Sequence, residues 1–358
     1  MSANIKQTSI SFSVLRSAAT LVCLLPSLVL AQTTSAWKAI DSGVTVELRG
    51  LSVVNKDVAW ASGAKGTVLR TVDGQHWVAM HIAGAEKLDF RDIQGFDAKT
   101  AIAMSAGPGK ASTLYKTTDG GASWALLKVN GDETGFWDAM DFWDKDRGIV
   151  FGDPVNGSFQ VLVTSDGGLT WTNPVKDAQQ LAALPNEGAF AASGTCISVL
   201  GTQEVWFVTG SAAKSRVFHS RDGGKTWSAS STEVPAGAPP KGLFSVSVAK
   251  NGRGFAVGGD YQQAKGAGLN AMSSDDGGKT WQATPALPQG FMSVVAKVPG
   301  SASFVVGGLA GSGVTKDFGK TWQVLGDTPL NALGFADRKH GWAVGPKGLV
   351  MQYAGDSL

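Results

Sequence analysis

The sequence predicts an all-β fold, a seven-bladed β-propeller with four antiparallel strands per blade. Three observations predict it. A turn that contains Asp and Gly and is followed by Trp recurs six times, an apolar strand that usually ends in Gly recurs seven times, and each such strand follows another apolar position at a constant spacing of nine residues. Repeats of four short strands that bury their faces against the neighbouring repeat are typical of propellers.

The first 31 residues are expected to be a secretory signal peptide. Lys6 and Arg16 precede an apolar run over residues 18–30, and small residues close the segment. This run is short for a membrane span. We therefore expect an exported chain, periplasmic or secreted, with one propeller domain over residues 32–358 and no membrane span after cleavage. An uncleaved N-terminal anchor is the alternative.

Charge and cysteine content limit the function classes. The chain has 31 Lys and Arg against 29 Asp and Glu, and removal of Lys6 and Arg16 leaves 29 of each. This balance argues against a general nucleic-acid binder. Of the two cysteines, Cys23 lies in the expected leader. Cys196 would remain alone, which excludes an intramolecular disulfide, and we expect a monomer.

The recurring Asp-Gly turn is called the Asp-box here. Its copies are TVDGQHW (71–77), TTDGGASW (117–124), TSDGGLTW (164–171), SRDGGKTW (220–227), SSDDGGKTW (273–281) and TKDFGKTW (315–322). Asp accepts hydrogen bonds from the turn's N–H groups, Gly adopts positive φ, and Trp enters the next strand as an apolar plug. Six equivalent sites cannot all be one active site, so the boxes are predicted to be structural.

Two strands of each blade follow from the constant spacing. The second strands are AWASG (59–63), AIAMS (101–105), GIVFG (148–152), VWFVTG (205–210), GFAVG (254–258), SFVVGG (303–308) and GWAVG (341–345). The first strands surround Leu51, Ile93, Met140, Ile197, Val246, Val295 and Leu333. The third strand precedes each box and the fourth begins at its Trp.

The chain ends are predicted to share a blade. Six boxes with seven first-strand positions leave one fourth strand unassigned, and Trp37, 14 residues before Leu51, can supply it. The last unit stops after a third strand over residues 348–353. An N-terminal strand around Trp37 should therefore close the C-terminal blade and remove the open edges.

Loop lengths predict which face carries function. The first turn of each blade is constant, whereas the second-to-third and fourth-to-first connections vary and lie together on one face. The longest are near residues 185–195 and 258–268. Insertions on one face of a repeat protein are typical of binding sites.

A mouth of mixed charge is predicted at that face. The residues two places before the first-strand positions are Arg49, Arg91, Asp138, Thr195, Phe244, Ser293 and Asn331. The predicted binding residues are Arg49, Arg91, Trp137, Asp138, Asp153, Glu187, Asp260 and Tyr261. The alternative is a rim of solvated charges that pair as Arg49–Asp138 or Arg91–Asp92 and contribute little energy.

Metal and cofactor signals are weak. His76, His81, His219 and His340 are scattered over different blades, and the Gly-rich stretches lack the strand–turn–helix context of phosphate-binding loops. No metal and no cofactor are predicted.

The repeats resemble those of known proteins. GWAVG followed by GLV, or TTDGG-x-S-W, is similar to the bacterial neuraminidase (Asp-box) repeat. The seven-unit arrangement over about residues 37–353 resembles the photosystem II stability/assembly factor family. That resemblance implies a non-enzymatic factor that binds a newly made membrane subunit through an Arg-rich face, whose register Arg49 and Arg91 match.

A sialidase-like glycoside hydrolase is the competing hypothesis. Sialidases share the boxes and use three arginines, a Tyr nucleophile assisted by Glu, and an Asp acid. Tyr261, Glu187 and Asp153 would take the last three roles on a small carbohydrate ligand. The Phe-Arg-Ile-Pro segment of sialidases is absent, and a third arginine has no candidate in register. Whether the protein is an enzyme is therefore left open.

Overall fold

The structure, a computed structural model, describes residues 1–5, 8–9, 35–285 and 290–358. Most of the expected signal peptide, and with it the predicted cleavage site and Cys23, lies outside these residues. Within the described residues, no helix combines the length and the apolar character that crossing a membrane requires.

The described strands form seven antiparallel sheets, one per blade. Blade 1 contains β2 (Leu48–Val53), β3 (Ala59–Gly63), β4 (Thr67–Thr71) and β5 (Trp77–His81). Blade 2 contains β6 (Phe90–Gly95), β7 (Ala101–Ser105), β8 (Thr113–Thr117) and β9 (Ala125–Val129). Blade 3 contains β10 (Trp137–Phe142), β11 (Gly148–Val155) and β12 (Ser158–Thr164). Blade 4 contains β13 (Ile197–Leu200), β14 (Glu204–Val208), β15 (Arg216–Ser220) and β16 (Ser228–Ser231).

The remaining blades complete the circle. Blade 5 contains β17 (Lys241–Val248), β18 (Gly254–Asp260), β19 (Ala271–Ser274) and β20 (Gln282–Ala283). Blade 6 contains β21 (Val294–Lys297), β22 (Phe304–Gly308), β23 (Gly311–Thr315) and β24 (Gln323–Gly326). Blade 7 contains β25 (Ala332–Phe335), β26 (Gly341–Val344), β27 (Val350–Tyr353) and β1 (Trp37–Ile40). Short 3₁₀ turns cover Gly109–Ala111, Ala178–Leu181, Tyr261–Gln263 and Pro346–Gly348.

The predicted sharing of a blade by the two chain ends is confirmed. β1 pairs antiparallel with β27, with Trp37 opposite Tyr353. The Trp37 indole is buried, donates a hydrogen bond to Ser312 Oγ at 2.9 Å and meets the Tyr353 ring edge-on at 5.4 Å. The last blade therefore has four strands although the C-terminal segment supplies three.

Blade 3 departs from the prediction of a full fourth strand. After its Asp-box Trp171, pairing with β12 is limited to two isolated bridges: Val163 and Thr172 exchange hydrogen bonds of 2.8 and 3.0 Å, and Ser158 lies opposite Ala182. Pro174 follows two residues later. Because proline has no N–H to donate, it ends the ladder, and the chain leaves the sheet for the long 172–196 connection.

The Asp-boxes form the hydrogen-bonded turns that the sequence predicts. In blade 3, Asp166 Oδ1 accepts the Thr170 N–H at 2.9 Å and Asp166 Oδ2 accepts the Thr170 hydroxyl at 2.6 Å. These bonds favour the ionised carboxylate and lower the pKa of Asp166 to about 2. The Trp171 indole N–H donates to Gly168 O at 2.9 Å, so the turn also positions the aromatic side chain.

The first strands of neighbouring blades form a closed ring around the centre. Contacts run from β2 through β6, β10, β13, β17, β21 and β25 back to β2. Side chains on these strands accept N–H groups of the next first strand, namely Ser52 from Gly95, Asp92 from Met140, Asp141 from Val199 and Ser245 from Val295, at 2.7–3.0 Å. The ring thus brings the starts of the seven first strands to one opening.

Candidate functional site at the channel mouth

A cavity of about 490 Å³ opens at the entry end of the first strands, and it is called the mouth here. Its charged residues are Glu47, Arg49, Arg91, Asp138 and Asp153, and its aromatic residues are Phe136, Phe190, Phe244, Tyr261 and Phe291. Ser293, Leu309 and Asn331 complete much of the remaining wall. A cavity of this size with a few polar groups and apolar walls is typical of ligand sites.

Most residues that line the mouth occupy equivalent positions at the start of the first strands. Of the seven positions two places before the first-strand apolar residues, six line the mouth, and Thr195 does not. Thr195 lies lower in the channel, where its hydroxyl is 2.7 Å from that of Ser245. Because side chains alternate along a strand, residues a further two places upstream can also face the mouth, and three of them do. These are Glu47, Phe136 and Phe291.

The two arginines lie on neighbouring blades and keep partial exposure. Arg49 pairs with Glu47 at 3.1 Å, and Arg91 pairs with Asp89 at 2.8 Å. The pairs Arg49–Asp138 and Arg91–Asp92, considered from sequence, are wrong: Asp92 is buried and its oxygens accept backbone N–H groups. The side chain of Arg49 is 27% exposed and that of Arg91 is 32% exposed, so both guanidinium groups can reach a ligand. Burial lowers the pKa of Arg49.

Two carboxyl groups of blade 3, the neighbour of the blade that carries Arg91, also line the mouth. Burial raises the pKa of Asp138 well above its usual range, and the neighbouring Asp153 charge raises it further. Burial also raises the pKa of Asp153. Asp138 Oδ2 is buried and has no hydrogen-bond donor among the described residues.

A segment of the long connection before β13 enters the mouth, and residues 188–193 are called the plug here. Its Ala189 N–H donates to Asp153 Oδ1 at 2.8 Å. Its carbonyl groups at Ala191 and Ala192 accept from Arg91 and Arg49 at 3.4 and 3.5 Å. The long loop that was predicted to bind a ligand therefore contacts Arg49, Arg91 and Asp153, which were predicted to bind the same ligand.

Five of the eight predicted binding residues line the mouth: Arg49, Arg91, Asp138, Asp153 and Tyr261. Trp137 does not, because it is the strand neighbour of Asp138 and packs instead among Ile102, Met104 and Leu114. Asp260 caps the 3₁₀ turn after β18 by accepting the Gln262 N–H at 2.9 Å. Its carboxylate is 3.9 Å from Lys241 Nζ, beside a separate groove.

Glu187 also lies outside the mouth. Its side chain is fully buried and forms an ion pair with Arg216, which donates through Nε at 2.8 Å and through Nη2. Its Oε1 also accepts the Thr209 hydroxyl at 2.6 Å. Glu187 anchors the base of the plug in blade 4. The structure therefore does not bring together the Glu, Tyr and Asp that the hydrolase hypothesis needs.

Phe244 and Tyr261 on the aromatic side of the mouth were predicted from the sequence, whereas Phe190 and Phe291 were not. Phe190 of the plug stacks on Phe244 with ring centroids 3.8 Å apart and planes 9° apart. Phe291 meets Phe244 edge-on at 4.7 Å, and Tyr261 does so at 6.2 Å. The alternation of strand residues could have identified Phe291, whereas Phe190 lies in an insertion that has no register.

Comparison with known proteins is informative about the repeat and the fold. Residues 218–229 and 272–283 match the family model described as BNR/Asp-box repeat, and they cover the boxes of blades 4 and 5. A search of curated proteins gave no significant match.

Solved structures match over most of the chain. The structure described as "YCF48 bound to D1 peptide" has a TM-score of 0.63 at 18% identity and covers 90% of this chain and 98% of that one. YCF48 from Cyanidioschyzon merolae has a TM-score of 0.63 at 16% identity, with 89% and 99% covered. The WD40 β-propeller domain of Doa1 has a TM-score of 0.58 at 12% identity, with 90% and 98% covered.

At these identities the likeness shows the fold alone. The chain is a seven-bladed β-propeller of Asp-box repeats with the fold that YCF48 proteins also have. The resemblance predicted from the sequence is confirmed at that level.

Proposed function

We propose that this chain is an exported, non-enzymatic assembly factor that holds a segment of a partner protein in its mouth. The observation that carries the proposal is the chemistry of that cavity. It offers guanidinium donors at Arg49 and Arg91 on one side and an aromatic wall around Phe244 on the other. A protein segment with an acidic or carbonyl group and an apolar side chain fits both sides.

The similarity to YCF48 supports the same proposal. One matching structure is described as bound to a peptide, and YCF48 is a photosystem II assembly factor. The similarity to a WD40 propeller of Doa1 is nearly as extensive. Because one fold serves many functions, the residues of the mouth are the stronger support. Export rests on the expected signal peptide.

Selection from a random-peptide library tests the proposal. The mature protein is immobilised, and the affinities of enriched peptides are measured for the wild type and for the double variant Arg49→Gln, Arg91→Gln. We expect the double variant to bind at least tenfold more weakly, and the loss to be smaller at high salt because part of the attraction is electrostatic.

A matched control uses Arg221→Gln with Lys279→Gln. These two cations line a cavity between blades 4 and 5 that is separate from the mouth, and their removal changes the net charge by the same amount. We expect this variant to bind like the wild type. Selected peptides that bind the Arg49 and Arg91 variant with unchanged affinity, or no selected peptides at all, would contradict the proposal.

A further inference from the structure

The plug is held in the way that a binding site holds a peptide. Its Ala189 N–H is bound by the Asp153 carboxylate, and its Ala191 and Ala192 carbonyl groups are bound by guanidinium donors. Donors and acceptors of the mouth thus contact backbone N–H and carbonyl groups of the segment, which every peptide also carries. The plug shows where such a peptide fits.

Side chains of the plug define what fits. The Phe190 ring lies flat against Phe244, whose other neighbours are Phe291 and Tyr261. The two following residues are alanines, and Ala191 is 6% exposed. Ser193 then donates its hydroxyl to Ser293 O at 2.8 Å. One aromatic side chain followed by two small ones is therefore the pattern that this surface accommodates.

The contacts of the plug leave the mouth incompletely satisfied. The two arginine–carbonyl distances, 3.4 and 3.5 Å, are longer than the usual value of about 2.9 Å. Asp138 Oδ2 is buried without a donor among the described residues, and an open cavity of about 490 Å³ adjoins the plug. A ligand with a carboxylate or a better placed backbone can improve these contacts.

We infer that residues 188–193 occupy the place of the partner and that the partner displaces them. The inference rests on the proposed function and specifies its ligand: a peptide segment in which an aromatic residue is followed by two small residues and which turns at that point, as the plug does where the Ala192 N–H donates to Phe190 O at 2.8 Å. The plug then acts as an internal competitor. It keeps Phe244 covered and occupies one donor of each arginine until a segment with the same pattern arrives.

The first experiment supplies the plug in trans. In the full mature chain, residues 189–193 are replaced by a Gly-Ser linker of equal length, and binding of the peptide acetyl-Gly-Ala-Phe-Ala-Ala-Ser-amide is measured by calorimetry. We expect saturable binding that is at least tenfold weaker for the wild type, where the tethered plug competes at high effective concentration. The same peptide with Ala in place of Phe should also bind at least tenfold more weakly. A folded linker variant that does not bind the peptide would overturn the inference.

A second experiment keeps the chain intact, because the linker variant can fail to fold. Hydrogen exchange of residues 188–195 is measured in the wild type with and without a library-selected peptide bound. Displacement predicts at least tenfold faster exchange in the complex, and Phe190→Ala alone should accelerate it as well. Binding of a selected peptide with unchanged protection of the plug would overturn this inference and leave the proposed function intact. If the wild type binds no peptide, the proposed function itself fails.

Discussion

Asp141 shows how one residue can join two blades at a cost that depends on pH. Its two oxygens accept the N–H groups of Phe142 and Val199, at 2.7 and 2.8 Å, which ties β10 to β13. Burial nevertheless raises the pKa of Asp141 to about 6, because removal from water penalises the charge more than two hydrogen bonds favour it. The unfolded value is about 3.9.

The sign of the resulting pH dependence follows from this raised pKa. Since the folded protein binds the proton more tightly than the unfolded chain, ionisation of Asp141 costs folding free energy, by about 3 kcal/mol when complete. This cost is fully present above about pH 6 and is absent below about pH 4. The free energy of unfolding should therefore rise as the pH is lowered from 7 to 5, and burial of Asp92, Asp138 and Asp153 acts in the same direction.

Asp141→Asn tests this assignment. Urea unfolding at pH 5, 6 and 7 should show a pH dependence that is shallower than that of the wild type by up to about 1.4 kcal/mol per pH unit, the contribution of one proton. Asp144→Asn is the matched control. Hydrogen bonds from Arg147 lower the pKa of the exposed Asp144, so its contribution to stability is constant from pH 5 to 7 and its removal should leave the slope over that range unchanged. Equal slopes for wild type and Asp141→Asn would contradict the assignment.

Some residues of the mouth could be predicted from their positions along the repeated strands, and others could not. Arg49, Arg91 and Asp138 could be placed because a constant hairpin spacing fixes which side chains face the ring entry. Trp137 was wrongly included since its neighbour Asp138 already occupies the inward face. Glu187 and Phe190 lie in an insertion that has no periodic pattern. Its conformation depends on contacts with several blades, for example with Arg91, Arg216 and Phe244. Glu187 therefore proved to be an anchor, and Phe190 was not foreseen.

Strand β1 is the element on which closure of the ring depends. It was predictable from a count of boxes and strands, because one fourth strand was missing and Trp37 stood at a suitable distance from Leu51. The shortened fourth strand of blade 3 was not foreseen, although Pro174 was visible in the sequence. A proline near a strand end does not by itself prevent the strand from pairing. Whether the fourth strand of blade 3 forms depends on where the chain goes after Pro174, which the sequence does not show.

Trp37→Ala tests closure without removing the strand. Trp37 is 5% exposed and packs between Phe335 and Tyr353, so loss of its side chain should lower the free energy of unfolding by about 3–5 kcal/mol. Lys38→Ala, on the same strand with an exposed side chain, should stay within about 0.5 kcal/mol of the wild type. Denaturant unfolding measures both. Equal stabilities of the two variants would show that β1 does not hold the last blade.

In the whole molecule, the propeller scaffold is built from repeated sequence segments, whereas the mouth is built from residues that do not repeat. The boxes and first-strand hairpins recur around the circle, and they give a fold that YCF48 and a WD40 domain of Doa1 also have. The mouth is not repetitive: its basic residues come from blades 1 and 2, its buried acids from blade 3, and its aromatic residues chiefly from blade 5 and the plug. Function is therefore expected to follow the mouth, while substitutions in the boxes should act through stability.

Photo-crosslinking in the native host tests most directly whether the mouth is where a partner protein binds. Tyr261 lines the mouth and is 43% exposed, whereas Val324 is 42% exposed on the fourth strand of blade 6. A benzoylphenylalanine at each position gives two probes of equal accessibility. We predict a specific protein adduct from position 261 that is lost when Arg49→Gln and Arg91→Gln are added, and none from position 324. Adducts from position 324 alone, or adducts from 261 that persist without both arginines, would contradict a partner site in the mouth.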